Sequence, residues 1–185
     1  MKPMKQPTTR SQTRKMLPKP KIYLAFQAGS WEDVSGLKTL CEETITRTLA
    51  VKPILMKKDI HIDVTFTDDA QIQILNHQYR GKNNPTNVLS FPQHDPLEED
   101  LKRMNPTLPL LLGDVVLSYE TVTKEAQDQK KAFSHHLTHL LVHGVLHLLG
   151  FNHINEEDAH EMETLEIKIL QDLNVPNPYG REVLS

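Results

Sequence analysis

The sequence predicts an α+β fold: one domain in which a mixed sheet of about four strands is covered by about five helices. Short runs before Ser118 alternate apolar with polar residues, as half-buried strands do, whereas the chain beyond Ser118 carries apolar residues at helical spacing. A length of 185 residues with 38% apolar composition is enough for one core without disulfides or structural metals.

The elements follow in order. Residues 1–21 carry four prolines among Gln, Ser and Thr, and too little apolar surface to offset their ordering entropy, so they are expected to form a flexible basic tail ahead of a domain over 22–185. Ile22, Leu24 and Phe26 alternate as a first strand. A helix is expected over about 32–51, with Val34, Leu37, Leu40, Cys41 and Ile45 on one face and Ser30 as its cap. Ile60, Ile62, Val64 and Phe66 make the clearest strand. Asp68 or Asp69 then caps a short helix through Ile72, Ile74, Leu75 and Tyr79. Val88, Leu89 and Phe91 form a third strand, and Leu110 to Leu117 a fourth, interrupted at Gly113 and Asp114. Between them, 93–107 reads as an acidic, mobile loop. Three helices close the chain, over about 118–130, 133–149 and 155–173, the last capped by Asn155 with Glu156, Glu157 and Asp158 in its first turn.

Composition excludes several function classes. The mean hydropathy of −0.46, with no apolar run near the roughly 18 residues of a membrane span, excludes an integral helical membrane protein. The basic N-terminus is followed by no apolar stretch of the kind a signal peptide needs. One cysteine, Cys41, cannot form an internal disulfide and fits a reducing compartment. The formal net charge of −3 conceals an asymmetry. Residues 1–21 hold seven basic residues and no acid, which leaves 14 basic against 24 acidic residues beyond them, a net of −10. The tail either attracts a polyanion or merely solubilises.

The histidines are just as uneven, seven of the ten lying between His135 and His160. Within that stretch stands His143-Gly-Val-Leu-His147-Leu-Leu-Gly150-Phe-Asn-His153. Positions i and i+4 of a helix share a face, so His143 and His147 can aim at one ion. Gly150 allows the turn that ends the helix, and His153 can fold back as a third ligand. Three imidazoles suit Zn²⁺, one per chain, and leave a fourth tetrahedral position open, which is a catalytic design. A packing role explains the stripe poorly: His136, His139, His143 and His147 occupy one narrow arc, opposite Leu137, Leu141, Val142, Val145, Leu148 and Leu149. His139, one turn before His143, is a candidate to orient a ligand or move a proton. The spacing also matches the metzincin pattern H-E-x-x-H-x-x-G-x-x-H, except that Gly144 stands where the protease carries its general base, so peptide hydrolysis is a poor reading.

A second stretch runs from Leu75 to Phe91, where a helix ends in Tyr79-Arg80-Gly81 before a polar loop. Arg80 and Lys82 are basic residues in an acidic body. A guanidinium fork fits phosphate oxygens and can stabilise charge that develops in phosphoryl transfer, and Lys82 is a candidate substrate contact.

Together, the Leu75–Phe91 tract, Gly113-Asp114 and His143 through His153 resemble the YbeY family of bacterial endoribonucleases, whose hallmark is H-G-x-L-H-L-x-G-[YF]-D-H. The resemblance implies a zinc-dependent, single-strand-specific endoribonuclease of the cytoplasm, acting in 16S ribosomal RNA 3′-end maturation and ribosome quality control. Its partners would be single-stranded and ribosomal RNA and the small ribosomal subunit, with no DNA and no membrane. Carried over by position, His143, His147 and His153 would hold zinc, and Arg80 would be the catalytic or phosphate-binding residue. The sequence departs from the hallmark at Asn152, an amide in place of an aspartate that could orient a ligand, and in its basic tail. Two other readings stay open: a metallohydrolase of another substrate, and a non-enzymatic ribosome-assembly factor locked by zinc. The nucleophile, zinc-bound hydroxide or the substrate's 2′-hydroxyl, is likewise open.

Overall fold

A computed structural model of the protein describes residues 18–180 apart from 96 and 106. The strands are β1 (Lys21–Phe26), β2 (Ile60–Thr67), β3 (Val88–Pro92) and β4 (Leu110–Ser118). Six α-helices accompany them among the described residues: α1 (Leu37–Leu49), α2 (Asp69–Arg80), α3 (Leu97–Arg103), α4 (Tyr119–Asp128), α5 (Phe133–Leu148) and α6 (Glu156–Asp172). The single α+β domain and the mixed sheet agree with the expectation. Strand order is β1-β2-β4-β3, with β1, β2 and β4 parallel and β3 antiparallel to β4.

Period-two patterning sets which face of the sheet is buried. Ile60, Ile62, Val64 and Phe66 of β2 all point into the main core, each no more than 2% exposed. They share that core with Cys41 and Ile45 of α1 and Leu137, Leu141 and Val145 of α5. Burying each of the Ile, Val, Leu and Phe side chains contributes roughly 1.5–3 kcal/mol before entropy is charged against it. A smaller cluster on the opposite face joins Ile72 of α2 to Leu89 and Val116.

Four local readings change. The helix expected over 32–51 is a single 3₁₀ turn at Trp31–Asp33 followed by α1, because Gly36 takes φ +73° between them. Ser30 precedes that turn but makes no side-chain cap bond. The stretch read as a mobile acidic loop contains α3: Glu98, Glu99 and Asp100 lie at its positive end, Lys102 and Arg103 at its negative end, and Leu97 is fully buried. The interruption expected in the fourth strand is a bulge inside a continuous strand. His61 pairs Leu111 and Ile62 pairs Gly113, so Leu112 is the extra residue. Gly113 has φ +132°, and a Cβ there would sit 2.1 Å from the Phe91 carbonyl oxygen.

The expected tail lies outside the described residues as far as residue 17, and Lys21 already belongs to β1, where its ammonium meets Asp59 at 3.0 Å. No described helix is long and apolar enough to cross a membrane.

Candidate metal centre

The centre is built on α5, which packs against β3 and β4 at its Gly144. A Cβ on Gly144 would meet Val115 Cγ1 at 3.0 Å and Ser90 Oγ at 3.1 Å, and the Ser90 hydroxyl donates to the Gly144 carbonyl at 3.1 Å. The position that a zinc protease would use for its glutamate therefore faces the sheet. A side chain there would need Val115 or Ser90 to give way by a few tenths of an ångström, and it would point at the sheet.

His143 and His147 lie one turn apart on the other side of α5, half-buried. After Leu148 the chain reverses: the Gly150 N–H bonds the His147 carbonyl at 3.0 Å, and the Phe151 N–H bonds the Leu146 carbonyl at 3.1 Å. Gly150 takes φ +90°, which strains any other residue. This turn brings His153 back over the helix, its ring stacked on His143 with centroids 5.5 Å apart. One ring nitrogen from each of the three histidines lies within 4.8 Å of the others.

The donor set fits a tetrahedral cation. His147 Nδ1 lies 3.0 Å from the Phe151 carbonyl, which only accepts, so the hydrogen sits on Nδ1 and Nε2 keeps a bare lone pair. His143 Nδ1 lies 2.7 Å from a carboxylate oxygen of Glu166, with the same consequence. The two Nε2 atoms are 3.1 Å apart. Two lone pairs at that separation need a positive centre between them, and Zn–N bonds of 2.0–2.1 Å in a tetrahedron set ligand nitrogens about 3.3 Å apart. Burial, then the neighbouring His143 and His153, and last the Arg80 charge, bring His147 down to about 4, against the lift from the Phe151 carbonyl. It is neutral at physiological pH, as a ligand must be.

Glu166 is the residue that pattern reading missed. It is 1% exposed on α6, and its oxygens accept from His143 (2.7 Å), His139 (3.1 Å) and the Tyr179 hydroxyl. Burial pushes its carboxyl up, but hydrogen bonds from His139 and His143 outweigh that and hold it at about 2. Burial and the Glu166 carboxylate in turn push the Tyr179 phenol up, so it remains a donor. A signal existed: Met162, Glu166, Ile169 and Leu170 are the buried residues of α6, and an acid sits in that otherwise apolar stripe. Glu166→Gln is expected to weaken metal binding about 10–100-fold, read by competition with a chelator of known affinity, since outer partners fix ligand orientation and basicity. The depressed pKa gives the acid limb its sign. The Glu166 contribution to stability is complete above the unfolded value near 4.3 and is lost as pH falls towards about 2.

The other expected residues are placed as follows. His139 bonds Glu166 through Nε2 and meets the His143 ring edge-on, with centroids 6.4 Å apart. Asn152 Oδ1 accepts the Ile154 N–H at 3.1 Å, shaping the turn around His153. Arg80 is the last residue of α2, exposed, without a carboxylate partner among the described residues, and near enough to His147 to lower its pKa. It is presented by Gly81 at φ +70°, where the Gly81 and Lys82 N–H groups bond the His77 and Asn76 carbonyls and close the helix. Lys82 follows with its side chain exposed. The loop beyond is pinned by Asn76 Nδ2 on the Asn84 carbonyl (2.7 Å) and Asn87 Nδ2 on Glu125 (2.9 Å).

A family model described as Endoribonuclease YbeY matches residues 29–174, which include Arg80, the three histidines and Glu166. The Endoribonuclease YbeY of Chelativorans sp. (strain BNC1) is 43% identical over 159 residues, covering 86% of this chain and 93% of its own. That of Bradyrhizobium diazoefficiens is 46% identical over 142 residues, covering 75% and 76%. A solution structure of TM1509 from Thermotoga maritima is 20% identical with a TM-score of 0.48, over 89% of this chain and 98% of that one.

Proposed function

The chain belongs to the YbeY family of endoribonucleases, and from that premise we propose that it is a zinc-dependent nuclease of single-stranded RNA. We infer that it works in the cytoplasm on the small ribosomal subunit, in 16S ribosomal RNA 3′-end maturation and ribosome quality control. The observation that carries the reading is the convergence of three imidazole nitrogens within 4.8 Å, beside an arginine free to take a phosphate.

In this reading one Zn²⁺ is held by His143, His147 and His153. Bound there, the ion would supply a Lewis acid and bring a water pKa to about 7. The chain's own groups do the rest. Glu166 and the Phe151 carbonyl hold the rings of His143 and His147 in the tautomer that offers Nε2. Arg80 binds the scissile phosphodiester and stabilises the charge that grows on its oxygens in the transition state. His139 and Tyr179 keep Glu166 ionised and fixed, so that its hydrogen bond to His143 does not relax when the ion leaves.

The test is cleavage of a labelled single-stranded RNA by protein stripped with a chelator and then reloaded with zinc. Stripping is expected to remove activity and reloading to restore it. Tight binding of ribosomal RNA with no chelator-sensitive cleavage would favour an assembly factor instead. Product end groups then identify the nucleophile, a 2′,3′-cyclic phosphate marking the substrate's own 2′-hydroxyl.

A further inference from the structure

The helix α2 ends in two exposed side chains of different chemistry. Arg80 is the last of them, and Tyr79, immediately before it, is 61% exposed. The other exposed Phe and Tyr side chains among the described residues are Tyr23 and Phe26. Both belong to β1, at the opposite edge of the sheet from β3. Tyr79 alone stands next to the arginine.

Packing accounts for part of what Tyr79 does. Ile72, Leu75 and Tyr79 recur at helical spacing, and the first two pack on the sheet. The Tyr79 ring meets Phe91 of β3 edge-on, with centroids 5.0 Å apart and planes at 67°. Whichever ring supplies the edge, Phe91 occupies at most one face of the tyrosine. The exposure of the side chain leaves the other face to solvent. The ring is therefore held in place without being covered, and its hydroxyl has no hydrogen-bond partner among the described residues. A lid on Phe91 needs no open aromatic face. Leucine, a better helix former, would cover it as well.

The surroundings give that face a use. β3 is an edge strand, with α2 on one face of the sheet and α5 on the other. Its successive residues point to opposite faces: the Ser90 hydroxyl donates to the Gly144 carbonyl on the ligand helix, while Phe91 supports Tyr79. From the end of α2, Arg80 is close enough to His147 for its charge to act there. A single strand laid across this edge with a phosphate on Arg80 passes the three histidines on one side and the Tyr79 ring on the other.

We propose that Tyr79 is a substrate-binding residue on which a base of the RNA stacks, that of a nucleotide flanking the phosphodiester held by Arg80. The inference rests on the reading of the protein as a nuclease of single-stranded RNA. Bases of a single strand are free to stack on aromatic side chains, and every base has a π face, so the contact adds affinity without selecting a sequence. Neighbouring Cα atoms are about 3.8 Å apart, so one helix end handles a phosphate and a base together. Stacking also suits a body whose net charge beyond residue 21 is −10, because it does not depend on attracting a polyanion by charge.

Two variants test this: Tyr79→Leu keeps an apolar cover over Phe91, and Tyr79→Trp keeps an aromatic face. Binding of a 2′-O-methyl RNA hexamer to the zinc-loaded full chain is expected to weaken about 5- to 100-fold in Tyr79→Leu and to stay within about twofold in Tyr79→Trp. A hexamer of the same backbone lacking its bases is expected to bind the wild type and Tyr79→Leu equally. The base-bearing hexamer is expected to quench the new indole of Tyr79→Trp, since the protein's own Trp31 is buried and out of reach. Turnover in Tyr79→Leu should fall through a raised KM at constant kcat, unlike a contact made only in the transition state. Melting temperature and zinc content are expected to match the wild type in both variants. Wild-type affinity for the hexamer in Tyr79→Leu, or an unquenched indole in Tyr79→Trp, overturns the stacking. So does an equal loss of affinity for the hexamer without bases, which makes Tyr79 a support for Arg80. If the wild type neither binds nor cleaves RNA, the nuclease reading falls and the stacking with it. If it cleaves RNA and Tyr79→Leu binds as tightly, the stacking falls alone.

Discussion

His143→Ala is expected to lose the bound metal, and RNA cleavage with it. The ring supplies one of three nitrogens and is also the ligand that Glu166 orients, at 2.7 Å. Its removal is expected to weaken metal binding by more than the 10–100-fold assigned to an outer partner. The measurement is metal content after dialysis at neutral pH, alongside turnover on single-stranded RNA. The fold should survive, because the side chain is 25% exposed, and Glu166 retains its bonds from His139 and Tyr179. A variant that kept one zinc per chain would break the ligand assignment.

Arg80→Ala is expected to lower turnover on the order of 10²-fold with zinc content unchanged, as loss of a charge-assisted contact made in the transition state should. Alanine is the best residue for a helix, and Arg80 is exposed at the end of α2, so stability should not fall. Arg80→Lys should recover only part of the rate, because an ammonium offers a point charge and no planar fork. Losing an interaction made only in the transition state lowers kcat and kcat/KM together. Turnover equal to that of the wild type would remove Arg80 from the reaction.

Much of this molecule could be read from local pattern, because local pattern is what spacing reports. The alternation from Ile60 to Phe66 and the i, i+4 pair on α5 are properties of single elements, and both stand in the structure. The histidine spacing includes its own turn at Gly150, so even the approach of His153 was legible. Glu166 was not, since its value lies in an α5–α6 contact 23 residues away in the chain. Periodicity along α6 marks Glu166 as misplaced without saying what it meets. The α3 helix was hidden by composition: five charged residues in seven read as loop, although their order, acids first and bases last, is the order the helix dipole favours. Gly144 illustrates the opposite error of emphasis. Its importance looked chemical, as the absence of a base, whereas contact distances from Val115 and Ser90 make it a matter of how closely the helix may approach the sheet.

The bond from Tyr179 to Glu166 spans 13 residues, and that from Glu166 to His143 a further 23. The candidate metal centre is consequently completed only by side chains that synthesis delivers after its three histidines. A nascent chain that has emerged only as far as His153 holds all three histidines but lacks the carboxylate that orients His143 and the phenol that fixes that carboxylate. Such an intermediate is expected to bind a metal more weakly than the finished chain. For an enzyme that cuts RNA, the expected consequence is that activity waits on the end of synthesis, through the placement of two side chains rather than through any inhibitor.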